Sequence, residues 1–292
     1  MATATALIDI LYGSSLRALS PFSPIPRDHL LVVTKSYFDC ALRPAAVSVA
    51  TVSGTISQWD RFDKSWSAVV AKHGAGFLHT TDAVALKEDF REGWTDDSVD
   101  AFIWDCVSVI DDCILKPSPI PGIPLRDGLM AVTLTIGLED YRRARGRNNT
   151  LPNNIYDVLA TETASFAFKW GKHIGANWYH LYYDQGESLC GHIRTRMRNR
   201  KVVRDVPILK KIANIAEPNM RVTPALQMAD LFAWCISHND RVLRSWHKRL
   251  HGLQWNSLDL PYELLIRPMK GVFERTAKWK LPVRARFPKD AL

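Results

Sequence analysis

No apolar run in this 292-residue chain approaches the roughly 20 residues that a helix needs to cross a bilayer. The best stretch, Leu129 to Ile136, has the length of a strand and carries two threonines. The N-terminus lacks a basic patch followed by an apolar stretch, so no secretory signal is expected. Five cysteines, at positions 40, 106, 113, 190 and 235, are odd in number and scattered. No Cys-x-x-Cys pair occurs, so neither a zinc site nor a disulfide framework is indicated. The cysteines read as small core residues in a reducing, cytoplasmic setting. Also missing are the phosphate loop Gly-x-x-x-x-Gly-Lys-Ser/Thr, the dinucleotide fingerprint Gly-x-Gly-x-x-Gly and the nucleophile elbow Gly-x-Ser-x-Gly. Their absence disfavours a nucleotide-driven motor, a dehydrogenase and a serine hydrolase. There is no internal repeat and no low-complexity tract.

What is present is ordinary in bulk and uneven in charge. Hydrophobic residues make up 47% and charged residues 23% of the chain, which predicts a sizeable core. The net charge is +8. Residues 191–292 hold 21 Lys and Arg against 8 Asp and Glu, whereas residues 1–190 hold 17 against 22. Such asymmetry suits a polyanionic partner such as DNA or RNA, and equally a solvated basic face. No membrane partner is expected.

Periodicity gives the element order. Residues 1–30, rich in Ala, Ser and Pro, read as an irregular leader. Strands are expected at Lys35 to Ala41 and Ala46 to Val52, then a turn at Gly54 and Ser57. Trp59, Phe62, Trp66 and Val69 lie at helical spacing within Gln58 to His73. Phe77 to Thr80 reads as extended, Val99 to Leu115 as a helix and Gly128 to Ile136 as a strand. A helix over Asn153 to Trp170, a strand over Trp178 to Tyr183 and a helix over Glu187 to Arg198 follow. Ile208 to Ile215 is mixed or a short strand, and Pro224 to Ser237 is the last core helix. This alternation predicts an α/β sheet covered by helices.

One helix carries a misplaced charge. The segment Ala225-Leu-Gln-Met-Ala-Asp-Leu-Phe-Ala-Trp-Cys-Ile236 has two polar side chains, Gln227 and Asp230, three residues apart and so on one helix face. An unpaired buried carboxylate costs several kcal/mol, on the order of 3–5, or takes up a proton. Asp39, within Ser36-Tyr-Phe-Asp-Cys-Ala-Leu42, and Asp184, closing Asn177-Trp-Tyr-His-Leu-Tyr-Tyr-Asp184, share that apolar setting. Three such acids suggest a carboxylate cluster for hard divalent cations, Mg²⁺ or Mn²⁺. Alternatively each acid caps a turn or pairs with an arginine.

The element order is that of a ribonuclease-H-like fold, in which acids from the first strand, the end of the fourth strand and the last helix meet. Local sequences add to this. Ser36-Tyr-Phe-Asp39, Gln58-Trp-Asp-Arg-Phe-Asp-Lys-Ser-Trp66, Phe77-Leu-His79-Thr-Thr-Asp82, Tyr183-Asp184-Gln-Gly-Glu187 and Pro224-Ala-Leu-Gln227-Met-Ala-Asp230-Leu-Phe-Ala-Trp234 resemble the bacterial "domain of unknown function 3800" family. The resemblance runs from about residue 35 to about residue 241. It implies a ribonuclease-H-like mixed sheet over residues 31–241, with a helical insertion at about 58–116. A basic, Trp-containing extension, 242–292, would pack on this core.

The resemblance further implies a metal-dependent phosphodiesterase, most simply a nuclease, with Asp39, Asp184 and Asp230 holding the ions. Glu187 or Glu162 would complete the shell. The family's first motif is commonly Asp-Glu-Ser-Gly, and here it is Asp39-Cys40-Ala41-Leu42. A relative with a retired site, binding nucleic acid or a protein, is the alternative. Adjacent strand residues face opposite ways, so a Glu at position 40 would point away from Asp39. His79 is a candidate general base or proton shuttle, or a buried hydrogen-bonded histidine. Arg194, Arg198, Arg200 and Lys201 are candidates for phosphate contacts, or a solvated patch. Gln227 would hold a phosphate or hydrogen-bond a neighbouring backbone.

Overall fold

The computed structural model describes residues 32–114, 128–148, 151–185, 188–199, 207–238, 244–253 and 256–259. A mixed sheet forms its centre. The strands are β1 (Val33–Leu42), β2 (Ala46–Thr55), β3 (Met130–Gly137), β4 (Trp178–Tyr183), β5 (Ile212–Ala216) and β6 (Asn256–Asp259), in the order β5-β4-β1-β2-β3-β6. β1 and β3 run antiparallel to β2, while β4 runs parallel to β1 and β5 to β4. β6 adds in parallel to the free side of β3. The expected α/β class and its strand–helix alternation are therefore present.

Alternation along β1 sorts its side chains between two cores. Tyr37 joins one apolar cluster, on the face covered by α1 (Ile56–Lys72), α3 (Asp96–Cys113) and α7 (Pro224–Ser237). Phe38 joins the other, with α5 (Ile155–His173) and α6 (Ser188–Arg198). α7 packs on β1 and β2 from the first side, and α5 on β2 and β3 from the second. Between α1 and α3 lies the five-residue α2 (Thr80–Val84). α1, α2 and α3 thus lie on the same side of the sheet as α7.

The junction of β2 with α1 differs from expectation. Gly54 is not in a turn: it pairs with Lys35, and the strand runs straight into α1. Thr55 caps the helix, with the Gln58 backbone N–H donating to its Oγ1 and its own N–H donating to Gln58 Oε1. Glycine is required at 54 by a close approach, because a Cβ there would strike the Trp59 indole and Leu129. Trp59 Nε1 in turn donates to the Lys35 carbonyl at 3.0 Å.

Three elements were not anticipated. α4 (Leu138–Arg147) buries only Tyr141 and Ala144, so its charged sequence carries little helical periodicity. α8 (Ser245–Gly252) and β6 come from the basic C-terminal stretch. α8 docks on α3 through Arg244, which pairs with Asp96 and Asp100, and Arg249, which reaches Asp111. Within the segment expected to be extended, Thr80 begins α2. Pro207–Lys211 is a 3₁₀ turn leading into β5.

Two stability predictions follow from this packing. Gly54→Ala is expected to cost roughly 1–3 kcal/mol through overpacking. Gly191→Ala, on an exposed position of α6 with no atom within 4 Å of the added methyl, should gain about 0.5–1 kcal/mol. Urea denaturation compares the two. The second concerns Asp105 on α3, which accepts from Lys72 Nζ at 2.7 Å and contacts His73 Nε2 at 2.8 Å. The hydrogen bond from Lys72, then that from His73, holds its carboxyl below the ordinary 3.8. The contribution is therefore present above pH 3.8 and is lost as pH falls through the lower folded value. Lys72 is well exposed, so Asp105→Asn should cost only about 0.5–1 kcal/mol at neutral pH, and less as pH falls below the folded value.

Candidate active site

Asp230 lies on α7, a helix buried around nearly its whole circumference. Its Oδ2 accepts from the Thr80 backbone N–H at 2.7 Å. One turn earlier, Gln227 Oε1 accepts from Trp66 Nε1 at 2.8 Å and from the Leu78 N–H at 3.0 Å, and its Nε2 donates to the Met220 carbonyl at 3.0 Å. Gln227 and Asp230 thereby bind two backbone N–H groups of one segment, Leu78 and Thr80. Of the two roles open to Gln227, a phosphate contact or a hydrogen bond to neighbouring backbone, the second is the one formed. Both ends of its amide are engaged with buried protein groups, so it positions the 77–80 segment.

His79, between those two residues, is the N-cap of α2. Its Nδ1–H donates to Asp82 Oδ2 at 2.6 Å. Burial opposes protonation of the ring, but the Asp230 charge, the Asp82 hydrogen bond and charge, and Asp184 outweigh it and raise His79 above the usual 6.5. Asp184 follows β4, and its N–H donates to the Phe38 carbonyl at 3.3 Å, next to Asp39. Burial raises the Asp184 carboxyl, against the Gln185 N–H and the His79 charge. Burial also raises Asp230, opposed by His79 and Thr80 and reinforced by repulsion from Asp184. Asp184, Asp230 and His79 thus act on one another electrostatically.

Asp39 is buried on β1, and alternation gives it the face of Tyr37 and Ala41, the face on which α7 packs. Cys40 packs against the opposite cluster. A side chain at position 40 therefore starts from the face opposite Asp39.

The remaining expected residues separate. Glu162 is not brought to the cluster: it is buried on α5, which covers the other face, where it acts on Lys169 and Arg196. Arg194 donates to Glu217 Oε2 at 2.8 Å and to the Ile215 carbonyl at 3.3 Å, clipping α6 to the chain at β5 rather than standing ready for phosphate. Arg198 is exposed at the end of α6. Glu187, Arg200 and Lys201 lie outside the described residues. An acid not anticipated is Asp63 on α1, pushed up to about 6 by burial, with Lys35 opposing and Asp60 reinforcing. Its polar helix context gave no sign of burial. A groove lined by Tyr141, Arg142, Arg145 and Asn153 includes none of the acids.

Gln227→Leu is expected to destabilise the fold by roughly 2–4 kcal/mol, since it strands the Trp66 and Leu78 donors in the core. Chemical denaturation measures this. A loss within about 0.5 kcal/mol, the range of an ordinary surface change, would contradict the positioning role.

Comparison of the chain with models of protein families, with curated proteins and with solved structures gave no match.

Proposed function

We propose that this chain is a metal-dependent phosphodiesterase, most simply a nuclease, on a ribonuclease-H-like sheet. The observation that carries the reading is that Asp184 and Asp230 each shift the protonation of His79 and are shifted by it in turn, with the Asp184 backbone hydrogen-bonded to Phe38, the residue before Asp39. The sheet supports it: read from β3, the order is 3-2-1-4-5, with only β2 reversed, as expected for that fold. The family resemblance of the five motifs points the same way.

The donor chemistry suits a hard divalent cation, although among the described residues only Cys235, His247 and His251 already hold their ligand atoms together. Carboxylates are oxygen ligands, and burial and repulsion disfavour the charge on Asp230. A cation among them would reverse that preference. Asp39, Asp184 and Asp230 would hold Mg²⁺ or Mn²⁺. The bound ion would supply Lewis-acid stabilisation of the charge that develops on a phosphodiester. His79 holds a proton more firmly than a free imidazole, and Asp82 occupies its Nδ1, so Nε2 is the position from which it would pass a proton to a leaving oxygen. The Thr80 N–H fixes one oxygen of Asp230, so this carboxylate is oriented before substrate arrives. The net charge of +8, concentrated after residue 190, would draw in a nucleic acid strand.

The test is cleavage of labelled single- and double-stranded DNA and RNA by the purified chain, with Mn²⁺, Mg²⁺ or EDTA. Cleavage should require metal and fall by at least ~100-fold in Asp184→Asn. No cleavage with any metal, beside salt-sensitive binding that survives the substitution, would favour the binding module. Cleavage equal in both proteins would assign the activity to a contaminant.

A further inference from the structure

A second cluster of ligand-type side chains lies where α7 meets α8, independent of the carboxylates. Cys235, in the last turn of α7, is buried. His247 and His251, four residues apart, share one face of α8. His251 Nε2 is 3.3 Å from Cys235 Sγ and 3.0 Å from His247 Nε2. One atom from each residue falls within 4.8 Å of the others. Bond lengths of about 2.3 Å to sulfur and 2.05 Å to nitrogen place tetrahedral ligand atoms about 3.3–3.6 Å apart. The two separations that involve His251 are close to what one ion would impose.

With the thiol deprotonated and both imidazoles neutral, Cys235 Sγ, His247 Nε2 and His251 Nε2 can each present a lone pair to one ion. His247 Nδ1 is buried with no hydrogen-bond partner, so the ring engages polar groups only through Nε2, which also lies 3.3 Å from the Cys235 carbonyl. Aromatic rings wall the cluster: Trp234 packs edge-on to His247 and stacks on His238, and Trp246 packs against both Trp234 and His247. Arg244 and Arg249 dock α8 on α3, which sets the two helices before any ion binds.

We propose that Cys235, His247 and His251 form a Zn²⁺ site that ties α8 to α7. One thiolate and two imidazoles select a borderline-soft ion over Mg²⁺ or Mn²⁺. Three protein ligands leave a fourth position to solvent, and His251 is the partly exposed member of the set.

The full chain, stripped with a chelator, would be titrated with Co²⁺ and then Zn²⁺. One equivalent of Co²⁺ should give a thiolate charge-transfer band and tetrahedral visible bands. Zn²⁺ should abolish them with sub-micromolar affinity, and excess Mg²⁺ should not. Cys235→Ser should remove the charge-transfer band, with four other cysteines retained. His251→Ala should weaken Zn²⁺ binding at least ~10–100-fold. The wild-type spectrum decides even if a variant fails to fold: no charge-transfer band overturns the site. A band undiminished in Cys235→Ser, or Zn²⁺ affinity unchanged in His251→Ala, overturns it as well.

Discussion

The structure depends on how α7 is buried. This helix contacts β1, β2, α1 and α2, so Gln227 and Asp230 are almost wholly withdrawn from bulk water. Gln227 and Asp230 must find partners inside, and the 77–80 segment supplies them through the N–H groups of Leu78 and Thr80. Strand geometry sends alternate N–H groups to the same side, and helix geometry puts residues three apart on one face. The two periodicities meet in this pair of bonds. Trp66 and Met220 complete the Gln227 amide, which locks α1 and the turn before α7 to the same point. His79 is carried between the two anchored residues and is thereby delivered to Asp230 and Asp184.

This anchoring opposes electrostatic comfort. Burial makes charge on Asp230 and Asp184 unfavourable, yet both carboxylates are kept within range of one another. A fold selected for stability alone would do as well with amides or apolar groups. The retained charges, the histidine that responds to them and the rigid N–H bond to Asp230 have a common rationale if the cluster holds a divalent cation. α7 then carries two different groups. Asp230, in its middle, would offer oxygen to a hard ion, and in its last turn Cys235 lies beside His251, which in turn meets His247.

Much of this was legible in the sequence. Asp230 and Gln227 stood out as polar residues in an apolar helix, and strand alternation placed Asp39 and Cys40 on opposite faces. What periodicity could not give was which face of the sheet each helix covers. Glu162 sits in an apolar helix much as Asp230 does, but α5 packs on the far side. Gln227 looked available for a ligand because its three partners come from residues 66, 78 and 220, which only the tertiary fold assembles. Cys235 has no cysteine at zinc-motif spacing in the sequence, so paired cysteines do not mark its cluster. The signal was present as His247 and His251 four apart, but α8 was hidden in a basic stretch. Gly54 read as a turn because a strand glycine is rare, and only the neighbouring Trp59 and Leu129 explain it.

The central claim, that the three aspartates form one cation site, is tested most directly by Mn²⁺ binding to the full chain, followed by the loss of the free-ion electron paramagnetic resonance signal. Mn²⁺ discriminates against the thiolate–imidazole cluster and needs no substrate. The account predicts saturable binding that weakens by at least ~10-fold in both Asp39→Asn and Asp230→Asn, with the circular dichroism of each unchanged. Mn²⁺ binding that is absent, or indifferent to both substitutions, would contradict it.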